Sequence, residues 1–131
     1  MNMTTRLESI EKRIGRALPG EYKSFVSVHR AKPLSDAYLV NNPDYWGIRI
    51  LFEIGDGAEH DQTDHVFEAV GDVLPTGMLP IADDSSGNLY LLDVVQGARV
   101  VWWNHERERT DDRVDEVASS FSEFLTLVRE S

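Results

Sequence analysis

The residues best equipped for chemistry sit close together: Asp56, His60, Asp61, Asp64 and His65 fall within ten consecutive positions. Imidazole and carboxylate at that density can ligate a divalent cation, and two carboxylates beside a histidine can move protons. Their spacing follows no established ligand pattern, and the stretch reads as a polar loop. Catalytic groups must be held to fractions of an ångström by a rigid surround. The bland alternative is a solvated acidic loop or a binding surface. Other motifs fail on single residues. His105-Glu106 is followed by Arg109 where a zinc-protease helix has its second histidine. Setting Gly87 at the sixth position of a calcium loop puts Ala82 at the first, where a carboxylate is needed. Gly55-Asp56-Gly57 lacks the third glycine of a dinucleotide fingerprint, and neither a P-loop nor a nucleophile elbow occurs. The expectation is a protein without catalytic residues, metal ligands or cofactors, and not an enzyme.

Charge is distributed unevenly. The net charge is −10, and no Lys or Arg lies between Ile50 and Ala98. That stretch holds ten acids, Glu53, Asp56, Glu59, Asp61, Asp64, Glu68, Asp72, Asp83, Asp84 and Asp93, while the remainder balances 13 acids against 13 bases. A field of this sign repels nucleic acid and anionic lipid and attracts basic proteins, so neither nucleic acid nor a membrane is an expected partner. The same carboxylates could equally serve solubility alone.

The elements that must position these groups follow from periodicity. At 131 residues, with 41% apolar and 27% charged residues, the chain is expected to form one domain over 1–131. It contains no cysteine, which fits a reducing cytoplasm, and no apolar run approaches the roughly 20 residues of a membrane span. Thr5-x-x-Glu8 has capping-box spacing, and Leu7, Ile10, Ile14 and Leu18 predict a first helix. Pro19 opens a second, with Tyr22, Phe25, Val26 and His29 on its stripe and Pro33 at its end. Tyr38 to Val40 is a short strand, and Ile48, Ile50, Phe52 and Ile54 alternate as a longer one. Val66 to Leu74 is either a short helix or an irregular connection. Strands at 79–82, 88–94 and 99–104 are joined by hairpin-length turns. Asp112 is expected to cap a closing helix that carries Val114, Val117, Ala118, Phe121, Phe124, Leu125 and Val128 on one face. The fold class is therefore α+β: a mostly antiparallel sheet of about four to six strands, with two N-terminal helices and one C-terminal helix packed on it. Trp102 and Trp103 are adjacent on a strand and must face opposite ways, so one is expected in the core and the other outside or beneath an edge. Trp46, in a loop, is a second candidate anchor for an interface.

Three segments in order resemble one family. "LPGEYKSFVSV" at residues 18–28, "MLPIADDSSGNLYLLDVVQGARVVWWNHE" at 78–106 and "FSEFLTLV" at 121–128 are similar to the SMI1/KNR4 superfamily, also called SUKH, which includes many bacterial immunity proteins. The chain departs from it in having His29-Arg30-Ala31-Lys32-Pro33 where the family often has a glycine-rich stretch, and residues 34–77 carry no matching motif. The resemblance implies a domain without catalytic residues that binds a cognate toxin domain, often a nuclease, and blocks it. The alternative is a regulatory or scaffolding protein-binding domain. Combined with the located charge, it makes Glu53, Asp56, Glu59, Asp61, Asp64, Glu68, Asp83 and Asp84 the expected contact surface for a basic partner, with Trp46 as anchor.

Overall fold

Three consecutive apolar runs form the centre of the molecule. In the computed structural model, which describes residues 2–106 and 113–130, they become β4 (Met78–Asp83), β5 (Leu89–Asp93) and β6 (Val100–Trp103). Every residue of the last two strands is buried. A strand buried on both faces needs a cover on each, and such strands read as continuous apolar runs rather than alternating ones. Trp102 and Trp103 accordingly point opposite ways yet are 4% and 6% exposed. Of the two alternatives for the second Trp, the outward-facing one is corrected: both rings are covered.

The remaining elements are α1 (Met3–Ile14), α2 (Gly20–Val28), β1 (Ala37–Leu39), β2 (Gly47–Ile48), β3 (Ile50–Leu51), α3 (Thr63–Val70), β7 (Asp115–Ala118), α4 (Phe121–Leu127) and β8 (Val128–Arg129). Two antiparallel sheets result, one ordered β3-β4-β5-β6-β7 and a smaller one ordered β2-β1-β8. The fold is α+β, with a second sheet added to the outline drawn from sequence and the Val66–Leu74 segment taking its short-helix alternative as α3, shifted to Thr63–Val70. Tyr90 stitches the sheets together: its hydroxyl donates to Gly47 O at 2.8 Å, and its ring lies 5.6 Å from that of Phe124 on α4.

Several boundaries differ from expectation for local reasons. Asn2, not Thr5, caps α1 by accepting the Thr5 N–H at 2.8 Å. Gly15, at φ 85°, ends the helix before Leu18. Leu18 is buried in the following loop, where its N–H donates to Glu11 Oε2 at 2.7 Å. The second helix stops at Val28, well short of Pro33. The alternating run from Ile48 splits at Arg49, so β2 joins the small sheet and β3 the large one. The proposed closing helix is also two elements. Its first half is β7, paired with β6, and the helix starts only after Ser120. Ser120 Oγ accepts the Glu123 N–H at 3.1 Å, and Glu123 Oε1 accepts the Ser119 N–H at 2.9 Å, an arrangement close to a capping box. Asp112 lies outside the described residues.

Candidate protein-binding surface

The carboxylates of the basic-free stretch divide by what surrounds them. Arginines from outside the stretch reach in to half of them. Arg49 Nε lies 3.0 Å from Asp83 Oδ1, and its Nη2 lies 2.8 Å from Asp83 Oδ2 and 3.1 Å from Asp61 Oδ1. Arg6 grips Asp64 in a two-pronged pair at 2.7 and 2.8 Å. Arg99 meets the buried Asp93 at 3.0 Å, and Arg13 approaches Asp72 at 3.5 Å. Asp84 turns inward on its own hairpin. It accepts the N–H groups of Ser86 and Asn88 at 2.9 Å each, Asn88 Nδ2 at 3.0 Å and the Trp102 indole N–H at 3.3 Å. Gly87, at φ 88°, supplies the left-handed turn that lets this carboxylate face its own backbone.

Glu53, expected on the contact surface, is 4% exposed and works inside the fold. Burial pushes its pKa up, but hydrogen bonds from Gln62, the Ala31 N–H and the Gly57 N–H, with the field of Arg30, outweigh this and hold it below the usual carboxylate range. Asp64 is likewise lowered, the Arg6 pair overcoming its burial. Asp83 goes the other way. Its burial, with Asp61 and Asp84 close by, outweighs Arg49 and raises its pKa.

What remains exposed, with neither an ion pair nor a side-chain hydrogen bond among the described residues, is Asp56, Glu59 and Glu68. Asp56 and Glu59 stand on the loop that leads from β3 to α3. That loop is tied from beneath: Gln62 Oε1 accepts the Gly55 N–H at 2.7 Å and Arg6 Nη2 at 3.0 Å, while Arg6 Nη1 donates to Gly55 O at 2.9 Å. Glu68 lies one helical turn beyond Asp64 on α3, beside a groove of about 610 Å³ between α1 and α3 that Arg6, Arg13 and Phe67 also line. The structure thus brings Asp56 and Glu59 onto one loop and Glu68 onto the adjoining helix. It turns Asp61, Asp64, Asp83 and Asp84 toward internal partners.

The five residues first singled out for chemistry do not converge. Asp64 faces Arg6, Asp61 faces Arg49, and His60 Nε2 sits 3.6 Å from Asp61 on the exposed side. Among the described residues, no group of three or more His, Asp or Glu could hold a metal ion.

A second exposed feature lies elsewhere. Trp46 is half-buried, and its indole N–H is buried without a hydrogen-bond partner among the described residues. Its neighbour Tyr45, which sequence reasoning passed over, is 54% exposed, with its ring edge-on to Trp102 at 5.1 Å. The one available signal for Tyr45 was its place beside Trp46 at the end of the Asn41-Asn42-Pro43-Asp44 turn, where aromatic side chains have little backbone around them.

Two antiparallel sheets carry helices, most of the acidic side chains of the basic-free stretch turn toward internal partners, and Asp56, Glu59, Glu68 and the Tyr45 ring are left exposed. The sequence model of the SMI1 / KNR4 family (SUKH-1) matches residues 4–127, and the chain belongs to that family. It is also similar to the SPbeta prophage-derived uncharacterized protein YokK of Bacillus subtilis (strain 168), at 24% identity over 95% of this chain and 73% of that protein. No helix among the described residues is long and apolar enough to cross a membrane.

Proposed function

We propose that this protein is an immunity protein that binds and neutralises a cognate toxin domain, in the cytoplasm and without chemistry of its own. Membership of the SUKH-1 family and the likeness to a prophage-derived protein support that reading. The observation that carries the mechanism is the tethered loop bearing Asp56 and Glu59. Two exposed carboxylates are presented on a backbone that Gln62 and Arg6 hold from below, so little ordering entropy is lost when a partner docks. A nuclease domain is the favoured toxin class, because a cleft shaped for phosphate is basic and an anionic protein surface can fill it with fast, steered association. The contact surface is Asp56, Glu59 and Glu68, with Asp61, Asp64, Asp83 and Asp84 contributing through their residual field rather than as free charges.

Co-expression tests this directly. A toxin domain taken from a neighbouring reading frame should kill cells when expressed alone and be tolerated when this protein is present; equal killing in both cases contradicts the proposal. The exposed Tyr45 ring supports a second reading, a regulatory or scaffolding domain, which would bind a protein partner and protect no cell.

A further inference from the structure

The Glu53 carboxylate holds two segments at once. Oε1 accepts the Ala31 N–H at 2.6 Å, in the connection that follows α2. Oε2 accepts the Gly57 N–H at 3.3 Å and Gln62 Nε2 at 3.1 Å, in the loop before α3. The main chain of Glu53 adds two bonds to the same loop, its N–H donating to Asp61 O and its carbonyl accepting the Thr63 N–H, both at 2.9 Å. His29 Nε2 lies 2.8 Å from Leu51 O; since a carbonyl only accepts, that nitrogen carries the proton and ties the first segment to β3 as well. The fit leaves no slack: a Cβ on Gly55 would collide with Glu53 Oε2, and one on Gly57 would lie 3.3 Å from Gln62 Nε2.

The two segments carry opposite charge. Arg30 and Lys32 are exposed on either side of Ala31, and Asp56 and Glu59 are exposed on the loop of Gly57. Because one carboxylate bridges the Ala31 and Gly57 amides, the two pairs of charges belong to neighbouring stretches of backbone. We infer that Glu53 is a positioning residue that locks these segments into one frame, making a two-signed docking surface. The partner it fits is a protein that presents a basic patch and an acidic patch side by side. The inference rests on the protein-binding function proposed above and sharpens it. A surface of one sign attracts many basic proteins in many orientations, whereas paired opposite signs penalise a rotated or mismatched partner with like-charge contacts.

Amide hydrogen exchange on the whole chain tests the frame without any partner. Glu53→Met keeps the side chain's length and removes both acceptors. Exchange at Ala31 and Gly57 should rise together by at least about tenfold while the β5 amides keep their protection, as a local opening requires. Glu53→Gln retains one acceptor oxygen and should restore protection at one of the two amides. Unchanged exchange at both sites in Glu53→Met overturns the inference. The unmodified protein provides the same test if these variants do not fold. On acidification, with Arg6 and Arg30 the cations whose fields reach the carboxylate, the Ala31 and Gly57 amide resonances should move with one shared midpoint; separate midpoints overturn it. With the toxin domain that the wild type neutralises in co-expression, Arg30→Glu and Asp56→Lys should each weaken binding at least about tenfold, as charge reversal at a steered interface does, with amide protection unchanged. If Arg30→Glu binds like the wild type, the surface has one sign and this inference fails while the immunity function stands. If the wild type neutralises nothing, the immunity function fails, the docking role falls with it, and the amide measurements still decide whether Glu53 holds the frame.

Discussion

The hairpin at Asp83–Asn88 and the loop at Gly55–Asp61 look alike in sequence, each a glycine turn beside two or more carboxylates and without Lys or Arg. They are used in opposite ways. In the hairpin, Asp83 is claimed by Arg49, and Asp84 accepts from its own turn and from the Trp102 indole. In the loop, a buried Glu53 and Gln62 satisfy the backbone, which leaves Asp56 and Glu59 exposed. Local charge density therefore does not measure surface charge. What decides is whether N–H donors or a guanidinium converge on each carboxylate: Asp83, Asp84 and the loop's own Asp61 are met in this way, while Asp56 and Glu59 are not.

Removing the hairpin's carboxylate should have the largest effect. Asp84→Ala strands the Ser86, Asn88 and Trp102 donors and should cost about 2–4 kcal/mol in denaturant unfolding, with a changed near-ultraviolet Trp signal. A cost below about 0.5 kcal/mol would make Asp84 an ordinary surface acid and erase the contrast with the loop. Arg49→Met comes next. It frees Asp61 and Asp83, but the Arg49 side chain is 33% exposed, so water relieves part of the loss and about 1–2 kcal/mol is expected in the same measurement.

Acid should act on the two regions with opposite sign. Glu53 and Asp64 have lowered pKa values in the fold, so their contribution is complete above the ordinary carboxylate pKa of about 4 and is lost as pH falls through the lower folded values. Asp83 is raised, so it costs stability above that range and the cost is relieved on protonation. Glu11 is lowered as well by its Lys23 partner, so with three lowered groups against one raised the unfolding midpoints should fall from pH 5 toward pH 3; a rise would mean that Asp83 dominates.

How much of this was legible in the sequence varied with how local the cause is. Pro19 opening a helix, Gly87 turning a hairpin, and the apolar runs of β4 to β6 are short-range signals, and all three elements formed where they pointed. Ser120-x-x-Glu123 marked the true start of the last helix, but the helical spacing of Val114, Val117 and Phe121 hid it, because a short edge strand followed by a helix can mimic one continuous stripe. The candidate surface was legible in outline through its missing bases. Its sorting was not, since Arg6–Asp64, Arg49–Asp83 and Arg99–Asp93 depend on tertiary approach. Glu53 falls on the Glu/Leu side of an alternating run, which suggests an outward side chain. It is buried because the loop folds back over it.

The most direct measurement is the association rate of the cognate toxin domain as a function of salt, for the wild type and for Asp56→Asn/Glu59→Gln/Glu68→Gln. The three substitutions touch no internal bond among the described residues and should change stability by less than about 0.5 kcal/mol each. The wild-type rate should fall at least about tenfold from low to high salt, because steering is screened beyond about 8–10 Å, and the triple variant should lose most of that dependence. Equal salt dependence in the two proteins would contradict the account.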